Sequence, residues 1–374
     1  MHHPDLHTGS RPQPLLAADV GGTHARVALV CASHRDDCAT DVLAYRKFPC
    51  KVFPSLAALL QEFLARDVRM SVRRCVLACA GQVTGDEILH DNLAWPIRLS
   101  QLRRSLAFDD LAALNDFEAF AYALDDPQAR AGRLLCGPDL PHSVPENVRK
   151  HDAQVNDPRE HGARETGPVL VIGPGTGLGA AVRLPSPTGT SVLTTEAGQM
   201  DFAPHTVRER EVLACLAPHG GYVAYERVTS GPGLLLLYKT LCGLDGVPPQ
   251  LATPEAVTAA ALAHEDGQAV EAVEIFCATL GSFAGGLAMA FMPTGGVYLG
   301  GGFLHSMFAL LERSAFAERF LHGRSVRSFL SRVPVRVMEH GRHAVLGAAN
   351  WYLRRESSAA AFGPNRASVY GLSE

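Results

Sequence analysis

Apolar residues arrive along this chain in two rhythms. Short unbroken runs at 15–18, 27–30, 75–80 and 168–172 end at glycines or polar turns and predict buried strands. Between them, 55–65 carries Leu56, Leu59, Leu60 and Phe63 at helical spacing, and Thr253-Pro254-Glu255 opens a second helix with proline in its first turn. A strand over 333–338 and a helix over 344–353 follow near the C-terminal end. Alternating strands and helices predict an α/β chain. The longest apolar stretch, 275–292, has no charge and reaches membrane-spanning length. Its many small residues, with Glu271 and Glu274 upstream and no basic flank, predict instead a buried helix in close helix packing.

Two interruptions repeat the same plan. The run 15–18 leads into Asp19-Val20-Gly21-Gly22-Thr23, and 168–172 leads into Gly173-Pro174-Gly175-Thr176-Gly177-Leu178-Gly179; each is followed by another apolar run. Taken alone, Gly21-Gly22 fits an ordinary hairpin as well as an anion cradle, in which backbone N–H groups approach a phosphate with no Cβ in the way. Two such hairpins half a chain apart imply a duplicated domain plan. A third glycine cluster lies at 295–302. None of the clusters contains a lysine, which excludes a P-loop, and the alternate-residue spacing at 173–179 is not Gly-x-Gly-x-x-Gly. The remaining reading is a lysine-free phosphate cradle, with Asp19 placed to hold a hydrated magnesium ion.

At 374 residues, with 47% hydrophobic and 19% charged, the chain has material for two domains. A net charge of −4 with scattered arginine pairs speaks against nucleic acid as a partner. Nine dispersed cysteines, and polar residues at 1–14 without an apolar signal core, fit a cytoplasmic protein without disulfides. Residues 137–167 are polar and read as a long surface loop. Asn115-Asp116-Phe117-Glu118 has the spacing of a helix N-terminal capping box, a role compatible with chemistry at Asp116.

Six motifs in order resemble the bacterial ATP-dependent glucokinases: Asp19-Val-Gly-Gly-Thr-His-Ala-Arg26, Leu114-Asn-Asp-Phe-Glu118, Gly173-Pro-Gly-Thr-Gly-Leu-Gly179, Asp201-Phe-Ala-Pro204, Glu226-Arg-Val-Thr-Ser-Gly-Pro-Gly233 and Gly295-Gly-Val-Tyr-Leu-Gly-Gly-Gly302. The resemblance spans about residues 15–353. It implies a two-domain actin-like (ribonuclease H-like) ATPase and sugar kinase fold with an interdomain cleft. The expected small domain comprises 15–114 plus 343–355, the large one 115–342, with flexible tails at 1–14 and 356–374. It further implies a homodimer that binds glucose and Mg-ATP, and no membrane.

Carried over residue by residue, Asp116 is the catalytic base. Asn115, Asp116, Glu196, Gln199 and Glu226 bind sugar. Gly21, Gly22, Thr23, Gly175, Thr176, Gly177, Gly301 and Gly302 hold the nucleotide phosphates, and Asp19 holds magnesium through water. Two departures stand out. The family pattern has His where this chain has Gln199, a residue that cannot be charged and places its donor differently. It also has Pro where this chain has Gln82. Gln199 implies a weaker or broader sugar preference, which keeps a kinase for mannose or an amino sugar as an alternative. A non-catalytic sugar sensor is a further alternative; the early first strand and the lack of Cys-x-Cys disfavour the DNA-binding form of it. ADP or polyphosphate would use the same phosphate cradle as ATP.

Overall fold

The computed structural model describes residues 13–33, 40–89, 94–139, 167–186, 189–302, 304–338 and 341–362. Most of the expected surface loop at 137–167 and of the expected tails at 1–14 and 356–374 lies outside these residues. The chain divides into two compact units, the first formed by 1–126 with 342–374 and the second by 127–341.

The first unit is built on strands β1 (Leu15–Val20), β2 (His24–Ala32), β3 (Thr40–Pro49), β4 (Arg74–Cys79) and, after three short strands β5 (Gln82–Thr84), β6 (Glu87–Leu89) and β7 (Ile97–Arg98), β8 (Asp110–Asn115). The sheet order is β3-β2-β1-β4-β8, while β5, β6 and β7 form a small sheet of their own. β1 pairs antiparallel with β2 in the predicted hairpin, setting Asp19 opposite Arg26, and runs parallel to β4, which runs parallel to β8. Helix α1 (Leu56–Asp67) starts where Ser55 accepts a hydrogen bond from Ala58 N, and it buries the predicted Leu56, Leu59, Leu60 and Phe63. Helices α2 (Leu99–Ser105) and α3 (Asp116–Ala123) flank β8 in sequence.

The C-terminal helix His343–Phe362 belongs to this unit and packs on α3, β1 and β4. Its closest approach is at Gly347, where a Cβ would stand 1.7 Å from the Ala119 carbonyl oxygen. This packing carries α3 with the first unit. The division therefore falls after Asp126, whereas the sequence pattern placed it at 114/115, and the helix runs past residue 355 to Phe362.

The second unit contains α4 (Pro127–Arg130), β9 (Arg133–Cys136), β10 (Val169–Pro174), β11 (Leu178–Ser186), β12 (Gly189–Thr195), α5 (Val207–Leu216), α6 (Gly231–Leu244), α7 (Pro254–Ala263), α8 (Gly267–Phe291), β13 (Val297–Leu299), α9 (Phe308–Arg313), α10 (Phe316–Phe320), α11 (Arg327–Leu330) and β14 (Val335–Val337). Its sheet order is β12-β11-β10-β13-β14-β9. Here too an antiparallel trio leads into parallel neighbours, so the repeat seen in the two glycine hairpins is a repeat of topology. The uncharged stretch 275–292 falls almost wholly within α8, whose Phe276, Leu280, Phe283 and Leu287 lie in the core. Gly281 and Gly285 let α8 touch the backbone of α10: a Cβ at either would lie 2.4 or 2.5 Å from the carbonyl oxygens of Phe316 and Phe320. At the α5 end, buried Glu209 accepts from Arg319 at 2.7 and 3.2 Å while completing a capping box with Thr206.

Candidate active site

In the first unit, parallel pairing brings the ends of β1, β4 and β8 to one edge of the sheet. Val20 lies level with Cys79, and Cys79 with Asn115. Asp19, the Gly21-Gly22-Thr23 turn, Asn115 and Asp116 therefore share that edge. Gly21 N donates to His24 O at 3.1 Å and Cys50 N to Thr23 O at 2.9 Å, which fixes the turn from both sides. The Cys79 thiol reports the proximity of the two carboxylates: burial pushes its pKa up, and the charges of Asp116 and Asp19 push it further.

Asp19 does not stand alone. Its Oδ2 accepts from Arg26 Nη1 at 2.9 Å across the hairpin. Burial raises its carboxyl pKa, and the Arg26 charge and hydrogen bond pull it back.

Asn115 both caps and positions. Its Oδ1 accepts from Phe117 N at 2.9 Å and Glu118 N at 3.3 Å, and its Nδ2 donates to Gly81 O at 3.2 Å. The Glu118 carboxyl is raised in pKa by burial against a smaller opposite pull from the Asn115 backbone, and of the capping box read from sequence the Asn115 side-chain half is formed. This locks Asp116 into the first helical turn of α3, where its Oδ1 lies 3.0 Å from Phe117 N. With Oδ1 already accepting two N–H groups, Asn115 keeps one N–H free for a ligand.

In the second unit, the β10–β11 turn closes through Gly175 N donating to Gly177 O at 2.7 Å, and Thr176 at its tip is exposed. Gly301 packs against the same turn in a left-handed conformation, φ +137°, with room for no Cβ because Pro174 O would lie 2.3 Å from it. The N-terminus of α6 joins them, since Gly231 N donates to Gly175 O at 2.8 Å. Two glycine clusters and the positive end of a 14-residue helix thus meet around one turn, an arrangement that favours an anion. A cavity of about 320 Å³ opens beside it, lined by Thr176, Glu226, Arg227, Ser230 and Gly233 among others.

Glu226 is bound directly to this turn. Its Oε2 accepts from Leu178 N, the first residue of β11, at 2.8 Å, and its Oε1 accepts from Gln199 Nε2 at 3.2 Å. Gly177 leaves the space: a Cβ there would lie 2.5 Å from Glu226 Oε2. Glu196 stands at the N-cap position of the single 3₁₀ turn Ala197–Gln199, makes no side-chain capping bond and is exposed. That turn is pressed onto β11 at Gly198, where a Cβ would lie 2.0 Å from Leu178 O. Glu226, Gln199 and the Gly175–Gly177 turn are thus brought together through Leu178, with Glu196 at the start of the same short turn.

Tyr222, absent from any motif, also belongs here. Its hydroxyl donates to Gln199 O and lies 3.3 Å from Gln199 Oε1. Only the positive-φ pair Gly220 and Gly221 just before it marks the place in the sequence as a turn.

Two α/β units, each with a glycine turn at the end of a hairpin leading its sheet, define an actin-like sugar kinase fold. The family model described as Glucokinase matches residues 16–355, and the chain belongs to this family. A "Glucokinase-like protein" from Xylella fastidiosa (strain 9a5c) is 39% identical over 344 residues, covering 92% of this chain and 96% of its own. A glucokinase from Chromobacterium violaceum is 35% identical over 90% of this chain and 88% of its own. The crystal structure of a glucokinase from an Antarctic psychrotroph superimposes with a TM-score of 0.73 at 28% identity, covering 91% of this chain and 99% of that one.

Proposed function

We propose that this chain is an ATP-dependent glucokinase that transfers the γ-phosphate of Mg-ATP to the 6-hydroxyl of glucose. The observation that carries the reading is the attachment of Glu226 to the residue that follows the Gly175–Gly177 turn. A carboxylate suited to accept hydrogen bonds from sugar hydroxyls stands directly beside a phosphate cradle, as transfer from a nucleotide to an alcohol requires.

In this reading Asp116 takes the proton of the attacking hydroxyl, and its place in the first turn of α3 holds it steady for that task. Asn115, through its remaining N–H, joins Glu196, Gln199 and Glu226 in binding the sugar. Gly21, Gly22, Thr23, Gly175, Thr176, Gly177, Gly301 and Gly302 supply N–H and hydroxyl donors to the phosphates.

The described residues contain no group of three or more His, Cys, Asp or Glu side chains that could hold a metal. Asp19 offers one carboxylate, with Oδ2 already accepting from Arg26. That donor set fits magnesium that arrives on the nucleotide and keeps its waters, held by Asp19 through one of them. Bound there, the ion would neutralise phosphate charge. The family likeness also supports a homodimer, which light scattering would show as twice the chain mass.

A matrix of phosphoryl donors (ATP, ADP, polyphosphate) against acceptors (glucose, mannose, glucosamine) tests the proposal on the wild type and on Asp116→Ala. ATP with glucose is expected to be the best pair. Loss of a positioned base lowers kcat by about 10²–10⁴-fold, and the variant should melt as the wild type does. No hexose-dependent turnover with any pair would favour a sugar-binding paralogue without catalysis. A second reading, a kinase for another hexose, rests on Gln199, and the acceptor arm of the matrix separates it.

A further inference from the structure

Glu226 and Gln199 form a polar pair whose geometry is set by a third residue. A carboxamide has one end that only donates and one that only accepts, and a half-turn exchanges them. Here the donating end faces Glu226 Oε1 at 3.2 Å, while the accepting end, Oε1, faces the Tyr222 hydroxyl at 3.3 Å. The reverse orientation would set the amide oxygen against the Glu226 carboxylate, whereas in the observed one the single Tyr222 hydroxyl proton, directed at Gln199 O, is shared with Gln199 Oε1.

Tyr222 reaches this place by construction. Phe202 N donates to Val223 O at 2.7 Å, Tyr225 N to Met200 O at 2.9 Å, and Asp201 bridges antiparallel to Ala224. These bonds clip the segment after Gln199 to the segment before Glu226, so Tyr222 and Gln199 face each other at the open end of the clip. The Tyr222 side chain stays 59% exposed, so packing does not explain its position.

We propose that Tyr222 is a positioning residue for hexose recognition, holding the Gln199 amide so that Gln199 and Glu226 together read a single sugar hydroxyl. Gln199 Nε2 carries a second N–H, and Glu226 Oε1 retains acceptor capacity. A hydroxyl can accept from the first and donate to the second at once. A deoxy position does neither, and an ammonium group can only donate, which leaves the Gln199 N–H opposed. The ligand class is therefore a neutral hexose with a free hydroxyl at that carbon, and the inference rests on Glu226 being a sugar ligand.

The test compares wild type, Tyr222→Phe, Gln199→Ala and the double variant. Glucose binding is measured by calorimetry, and turnover with glucose, 2-deoxyglucose and glucosamine by coupled assay. Losing one neutral hydrogen bond predicts a roughly 3–10-fold rise in both Kd and KM for glucose in Tyr222→Phe, with kcat retained. Discrimination against the analogue altered at the recognised carbon narrows, and Tyr222→Phe adds nothing once Gln199 is alanine. Unchanged glucose affinity in Tyr222→Phe overturns the proposal while leaving the glucokinase reading intact. An equal loss in the Gln199→Ala background also overturns it, because Tyr222 then acts through the Gln199 backbone. A wild type that binds no hexose by calorimetry overturns the sugar-site reading itself, and this inference with it.

Discussion

Gly177→Ala tests the link between the phosphate turn and the sugar carboxylate with one added methyl group. Gly177 has no positive φ, so alanine brings no backbone strain, and the three atoms nearest an added Cβ all belong to the Glu226 carboxylate. The new Cβ would stand 2.5 Å from Glu226 Oε2, which must retreat by about 1 Å to reach ordinary contact. That retreat breaks the 2.8 Å bond from Leu178 N and pulls Oε1 away from Gln199. A hydrogen bond to a charged group contributes about 1.5–3 kcal/mol. If that energy serves to hold Glu226 for the sugar, KM for glucose should rise by roughly 10–150-fold. Stability should change little, because the half-buried Glu226 side chain can rehydrate where it moves. Hexose-dependent ADP release gives KM and kcat, and a thermal melt gives stability. An unchanged KM would refute the role assigned to Glu226; a large fall in melting temperature with KM preserved would show that its bond to Leu178 serves the fold instead.

Two further predictions concern stability. Gly347→Ala drives a Cβ into the Ala119 carbonyl at 1.7 Å, backbone that cannot swing aside, so the C-terminal helix must shift; overpacking of this kind costs about 1–3 kcal/mol, and melting should fall by roughly 3–10 °C. An unchanged melt would show that the helix does not dock as described. His205 faces Arg319, His322, at a ring separation of 5.1 Å, and Glu209; lost hydration, then Arg319 and His322, hold its pKa below the usual imidazole value against a smaller opposite pull from Glu209. The folded chain thus resists a proton that the unfolded chain accepts, so this contribution is present above the ordinary value of 6.5 and is lost as pH falls below it. Between about pH 7.5 and 5.5 the wild type should lose melting temperature more steeply than His205→Gln, and equal slopes would refute it.

Much of the fold was legible because it is written in local patterns. The glycine hairpins, the apolar face of α1, the Asn115 cap and the Thr253 cap before Pro254 each depend on residues within one turn of one another. The burial of α8 was legible from its small residues and missing basic flank. What escaped depends on distant pairing. Tyr222 meets Gln199 only because the segments after 199 and before 226 clip together, and Arg319 reaches Glu209 across 110 positions. The division after Asp126 was hidden for the same reason, since α3 is held by a helix more than 200 residues later. Gly347, a glycine within a helical pattern, was the available hint of that close approach.

The docking of the C-terminal helix on α3 also sets an order of events during synthesis. Residues 127–341 form one continuous stretch, so the second unit can complete its core while the ribosome is still adding the last residues. The first unit cannot, although its strands emerge first. Until Gly347 arrives, the backbone groove along Ala119 and the apolar faces of β1 and β4 lack their cover. The half of the protein that carries Asp116 is thus the last to mature, and in a crowded cell its early strands are where a chaperone would have the longest time to bind.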